Sequence, residues 1–199
     1  MKTHLPSHRQ RIRVWDPFVR LFHWTVVGGV LLAYLTEDFR SLHKTVGYAV
    51  LAAVLLRLGW GLIGGRHARF ADFVRGPGEV LRYARDILHG REERYLGHNP
   101  LGGVMVVALL TTLLVICVSG WMTTLDMFWG EDWVENLHTV AVDLLVFGLV
   151  PVHVAGVVFT SLRERTNLVK AMITGYKEHG VADGGARLPA GGARAGDRI

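Results

Sequence analysis

Four histidines carry the chemistry of this sequence: His23, His43, His138 and His153. Each falls within or at the end of a long apolar run, where an ionisable side chain is costly and by default marks a function. A neutral imidazole is a metal ligand through either ring nitrogen. At about 1.5 Å of rise per helical residue, depth can be counted directly. His23 lies five residues into the first run, near one face of a bilayer, and His43 opens the second run at the opposite face. His138 opens the fourth run, and His153 follows it on the same helix by about 22 Å, with a rotation of about 60° beyond whole turns. Both histidines of the fourth run can therefore face a bundle interior, and the depths pair His43 with His138 and His23 with His153.

Two imidazoles from facing helices at one depth are what a six-coordinate haem iron requires, one axial nitrogen from each. With both axial positions filled, the iron has no open site for a substrate, which suits electron transfer. Two such levels in one bundle make a relay across a membrane. The competing reading of each histidine is a satisfied core or interface residue, and His43, beside Lys44, also suits the headgroup layer. Of the other histidines, His4, His8 and His179 lie in the terminal arms, and His67 and His89 in a basic connecting segment.

The elements that must position these residues are four apolar runs at 18–35, 46–63, 101–121 and 140–162. Each approaches the roughly 20 residues that cross about 30 Å of hydrocarbon. Half of the 199 residues are hydrophobic and a fifth are charged, but the charges are bunched between the runs. The expected fold is an all-α membrane protein, a four-transmembrane-helix bundle. A secretory signal at the first run is set aside, because Thr36-Glu37-Asp38-Phe39 rather than a small-residue cleavage site follows it. The formal charge of +5 does not point to nucleic acid, because the basic residues sort by loop. The N-terminal arm, the segment between runs two and three and the segment after run four are rich in arginine, whereas the 126–135 loop is acidic. That is the positive-inside pattern of a multi-pass inner-membrane protein with both termini cytoplasmic.

Residues 1–12 read as a basic cytoplasmic arm, 13–178 as the transmembrane domain and 179–199 as a disordered tail rich in Gly, Ala and Arg. Residues 163–178 read as a cytoplasmic helix. Residues 78–88 have an amphipathic pattern that fits either an interfacial helix or a solvated loop helix. Two further residues fit a haem site. Gly47, one turn past His43, lets a flat macrocycle approach, or is a helix-packing glycine of the kind common in membranes. Arg57 shares a face with His43 about 21 Å deeper, where it meets a propionate of the inner haem or snorkels to headgroups. Asp143 suits proton exchange near a quinone or hydration at the outer interface. His98 is a loop or cap residue, or an alternative ligand. Cys117 reads as a small buried hydrophobe, and no Cys-x-x-Cys-His context suggests covalent haem attachment.

Five segments carry a family likeness: Arg20-Leu21-Phe22-His23-Trp24, Leu42-His43-Lys44-Thr45-Val46-Gly47-Tyr48, Gly97-His98-Asn99-Pro100-Leu101-Gly102, Asn136-Leu137-His138-Thr139 and Val152-His153-Val154-Ala155. In order and spacing over residues 13–178 the sequence resembles the prokaryotic cytochrome b561 family, which is similar to the cytochrome b subunits of nickel-iron hydrogenases. The resemblance implies a four-helix bundle with two non-covalent haems b, the four histidines matching the axial ligands. It also implies exchange with ubiquinone or menaquinone, and a partner such as a hydrogenase, a c-type cytochrome or another redox subunit. Hydrogenase subunits of this type usually carry an additional span, and four are read here. Two other functions compete with the electron-transfer subunit. One is an enzyme that oxidises superoxide and reduces quinone. The other is a haem-free, histidine-lined metal carrier, which would need polar residues spread along a pathway that runs one and three lack.

Overall fold

A computed structural model describes residues 9–65, 68–91, 93, 95 and 97–180. In chain order it contains β1 (Arg9–Arg13), α1 (Pro17–Leu35), α2 (Arg40–Ile63), α3 (Phe70–Phe73), α4 (Pro77–Leu88), α5 (Pro100–Met122), α6 (Asp132–Asp143), α7 (Val150–Glu164), α8 (Leu168–Thr174) and β2 (Tyr176–Gly180). A π-helical segment, Leu144–Leu149, joins α6 to α7 without a break. Among the described residues, four helical units are long and apolar enough to cross a membrane: α1, α2, α5 and the continuous unit Asp132–Glu164.

The starts of α1 and α5 follow from capping chemistry. Asp16 accepts a hydrogen bond from the backbone N–H of Val19 at 2.8 Å, and Pro17 occupies the first turn of α1. Asn99 does the same for α5 through Gly102 at 2.7 Å, ahead of Pro100. Spans two and four are longer than their apolar runs. The polar turns Arg40–Thr45 and Asp132–Thr139 continue the helices beyond the hydrocarbon-compatible core. At about 1.5 Å per residue the fourth unit is about 50 Å long, well over the bilayer's hydrocarbon thickness, so its first turns stand in the polar layer.

Packing runs α1 on α2, α2 on α5, and α5 on α6 and the π segment. Val50, Val54, Leu113 and Leu145 form the bundle core, with Val26, Val30 and Leu109 against it. Elsewhere the spans expose large apolar side chains, among them Leu31, Leu62, Phe147 and Leu162, as a lipid-facing surface does. The π segment has a local cause. Pro151 has no N–H to give the carbonyl of Phe147, and its ring crowds that carbonyl, so the helix widens by about one residue there. The 15 residues from His138 to His153 then turn as about 14. That leaves them about 40° short of four turns rather than about 60° beyond. The two histidines still face one side, about 21 Å apart, and Leu145 is turned into the core.

The end of the bundle that carries β1 and β2 is closed by a second cluster, Val14, Trp15, Val19, Ala68 and Ala171, with Trp60 and Met172. We call this the terminal end and the opposite one the turn end. The expected helix over 163–178 is replaced. It stops at Arg165 in a left-handed conformation, resumes as the short α8, and turns at Gly175 into β2. That strand pairs antiparallel with β1, Arg13 opposite Tyr176 and Arg9 opposite Gly180, so part of the expected N-terminal arm is ordered. The expected disordered tail lies, from residue 181, outside the described residues. Lys177 is buried in this cap. Its ammonium lies 2.6 Å from a carboxylate oxygen of Glu164 and donates to the carbonyl of Tyr95 at 2.8 Å. Removing one partner of a buried pair typically costs about 3 kcal/mol or more. Lys177→Met is therefore expected to lower the Tm of the purified protein, and Lys177→Met with Glu164→Leu to recover most of the loss. Equal Tm values for wild type and Lys177→Met would show that the pair does not hold the cap.

Candidate functional site

At the turn end, the imidazoles of His43 (first turn of α2) and His138 (α6) face one another with ring centroids 6.2 Å apart. At the terminal end, His23 (α1) and His153 (α7) face one another at 6.4 Å. All four rings are half-buried. Two imidazoles bound on opposite sides of one metal, with bonds of about 2 Å and roughly 1.1 Å more from nitrogen to ring centre, place their centroids about 6 Å apart. Both pairs have that separation. Among the described residues, no three His, Cys, Asp or Glu side chains converge as a metal-ion site. A bare ion seeks three or four protein ligands. A pair of opposed imidazoles suits an iron whose four equatorial positions a macrocycle supplies.

The turn-end rings are held by their second nitrogens. His43 Nδ1 is 3.0 Å from the carbonyl oxygen of Ala33, and His138 Nδ1 is 3.0 Å from that of Ile116. A carbonyl only accepts, so each Nδ1 carries the hydrogen and each Nε2 keeps its lone pair for a metal. Ala33 lies in the last turn of α1, and its carbonyl also accepts from the backbone N–H of Thr36 at 3.3 Å, so its second lone pair serves the imidazole. Ser119, fully buried on α5, places its Oγ 3.2 Å from the same Nδ1 of His138. Gly120 is required beside it, because a Cβ there would meet Cε1 of His138 at 2.9 Å.

Gly47 is half-buried, and a Cβ added to it would meet nothing within 4 Å, so space is open one turn from His43. Arg57 is buried rather than extended to the surface. Its Nη2 donates to the carbonyl of Ala68 at 3.0 Å and its guanidinium covers the Phe70 ring at 5.2 Å, which docks the α2–α3 connection on the bundle. Gly61 makes room for Phe70, whose ring would lie within 2.6 Å of a Cβ at that position. Nη1 of Arg57 and Nε of Arg20 are buried and have no hydrogen-bond partner among the described residues. Both therefore offer donors to an anionic group at the terminal end, as a haem propionate would require. Thus the residues present fit the expected group at both levels.

His98 does not join either pair; its ring packs against Trp15 at 4.7 Å and Phe73 at 4.8 Å. Asp143 is exposed on the outer face of α6. The amphipathic segment is α4. It buries Tyr83, whose ring meets that of Tyr95 edge-on at 5.5 Å, and exposes Leu81, Leu88, Arg82 and Arg85. Ser119, Gly120 and Arg20 went unassigned in the sequence. The signal for the first two is a Ser-Gly pair in the last turn of the third run. An open groove lined by Val157, Ser161, Leu162, Arg165 and Thr166 begins one turn beyond His153.

Residues 14–175 match the family model described as prokaryotic cytochrome b561. The chain is 23% identical to a probable Ni/Fe-hydrogenase B-type cytochrome subunit of Rhizobium leguminosarum bv. viciae, over 85% of this chain and 90% of the relative. It is 22% identical to the protein of the same description in Azotobacter vinelandii, over 83% and 88%. A third relative so described, from Azotobacter chroococcum mcd 1, is 22% identical over 63% and 65%. No solved structure matches the chain. Gly120→Ala is expected to displace His138 and lower the haem-to-protein ratio, whereas Gly28→Ala, with open space at its Cβ, leaves that ratio unchanged. Equal ratios in wild type and Gly120→Ala would remove the close approach of ring to helix from the site.

Proposed function

Since this chain belongs to the prokaryotic cytochrome b561 family and is a membrane-embedded b-type cytochrome of electron transfer, we propose that it is a di-haem relay between the quinone pool and a redox partner. His43 with His138, and His23 with His153, supply the axial nitrogens of two non-covalent haems b. The observation that carries this reading is the pair of imidazole separations, 6.2 and 6.4 Å, at opposite ends of one bundle. Each haem when bound supplies one-electron chemistry, Fe(III) to Fe(II). The protein's part is to hold the rings opposed, fill both axial positions and keep water from the metal. Gly47 leaves room for the turn-end macrocycle. Arg57 presents Nη1 to a propionate of the terminal-end haem.

The terminal end is cytoplasmic in this proposal. It carries β1, β2 and the arginines of the α2–α5 connection, the sign that the positive-inside rule assigns to that face. The partner is a hydrogenase or a c-type cytochrome, the first supported by what the relatives are called. The groove beside α7, apolar along Val157 and Leu162 and polar at Ser161 and Thr166, suits an amphipathic quinone.

Purified protein is expected to show sharp reduced b-type bands and two haems per chain. His43→Ala and His153→Ala are each expected to lose one haem, and the double variant both. A colourless, correctly folded preparation would eliminate the proposal. Arg57→Leu should lose the terminal-end haem or shift its midpoint potential; unaltered content and potential would remove Arg57 from the site.

A further inference from the structure

The two imidazole pairs differ in what lies behind them. At the turn end, the N–H of His43 is drawn to the Ala33 carbonyl, and that of His138 is shared between the Ile116 carbonyl at 3.0 Å and Ser119 Oγ at 3.2 Å. Ser119 gives its own hydrogen to the carbonyls of Val115 at 2.7 Å and Ile116 at 3.1 Å, so a hydroxyl lone pair is left to face the imidazole. At the terminal end, Nδ1 of His23 is buried and has no hydrogen-bond partner among the described residues. Its ring instead meets the Trp24 ring edge-on, at 5.0 Å and 87°.

An imidazole N–H engaged by an acceptor makes the opposite nitrogen more basic and a stronger donor to a metal. A stronger donor favours the oxidised, more highly charged iron and lowers its potential. Charge acts in the same sense. The terminal end holds the buried guanidinium of Arg57 and, one turn before His23, Arg20, whose Nη2 donates to the carbonyl of Ile173. Positive charge in a low-dielectric region favours the reduced iron there. Lys44, beside His43, is exposed, where water and salt screen it.

Building on the two-haem reading, we propose that Ser119 and the carbonyls of Ala33 and Ile116 hold the turn-end haem at the lower of the two midpoint potentials. Electrons then run downhill from the turn end to the terminal end. In each transfer one electron leaves the turn-end Fe(II), which becomes Fe(III), and the terminal-end Fe(III) becomes Fe(II). No bond breaks and no proton moves.

Redox titration of the haem absorbance in purified holoprotein and in Ser119→Ala tests this. Two midpoints are expected in the wild type. Ser119→Ala, which touches the turn-end pair alone, should raise the lower midpoint and leave the higher in place. Movement of the higher midpoint, of both or of neither, or a downward shift, would overturn the proposal. Should Ser119→Ala not accumulate as folded protein, His43→Met replaces it. Whether that variant keeps a methionine-ligated haem or loses it, the transition left in place belongs to the terminal end. It is expected to be the higher of the wild-type pair, and finding the lower one would overturn the assignment equally. Fewer than two haems per chain, visible in the spectrum before any titration, would defeat the two-haem reading itself, and this inference with it.

Discussion

An imidazole below the headgroups has little water to satisfy its ring nitrogens, so a nitrogen left without a protein group or a metal is costly there. That constraint organises the bundle. At the turn end one nitrogen of each ring is taken by a backbone carbonyl, and the two ring centres lie 6.2 Å apart. The terminal end repeats the opposition with α1 and α7. The core cluster sits among α1, α2, α5 and the π segment, while the histidine levels lie above and below it.

The supporting features serve the same end. Gly120 lets the His138 ring lie against α5, and Ser119 sits behind it. The π segment re-phases the fourth span by about one residue, and its two histidines keep one side of the helix. At the terminal end, Arg57 ties the α2–α3 connection to the bundle by Ala68 and Phe70, and Lys177 with Glu164 ties β2 to α7. These contacts lie in the cap that closes the terminal end with Trp15, Ala68 and Ala171.

Much of this could be read from the residues. The four spans follow from apolar length, and the depth of each histidine follows from the fixed rise of a helix. Both pairings then follow without knowledge of the fold. Other features depend on tertiary context. The polar turns that lengthen α2 and α6 resemble loop sequence until they are seen stacked on a span. Pro151 reads as an ordinary membrane-helix proline, since kink and π segment are alternative responses to the same missing N–H. The strand pair joins residues more than 160 positions apart, and five-residue basic segments carry little periodicity. Ser119 goes unassigned in the sequence, because its partner lies 19 residues away on another helix. Arg57 has two readings by depth alone, and its burial against Ala68 and Phe70 is visible only in the fold.

The central claim is that opposed imidazoles fill both axial positions of two irons in one bundle. Electron paramagnetic resonance of the oxidised, purified protein addresses it most directly. Two distinct low-spin ferric signals of equal weight are expected, with no high-spin component. A high-spin signal would mean an iron with an open or weakly held axial site, and a single low-spin signal at one spin per chain would mean one level only. Either result would contradict the account.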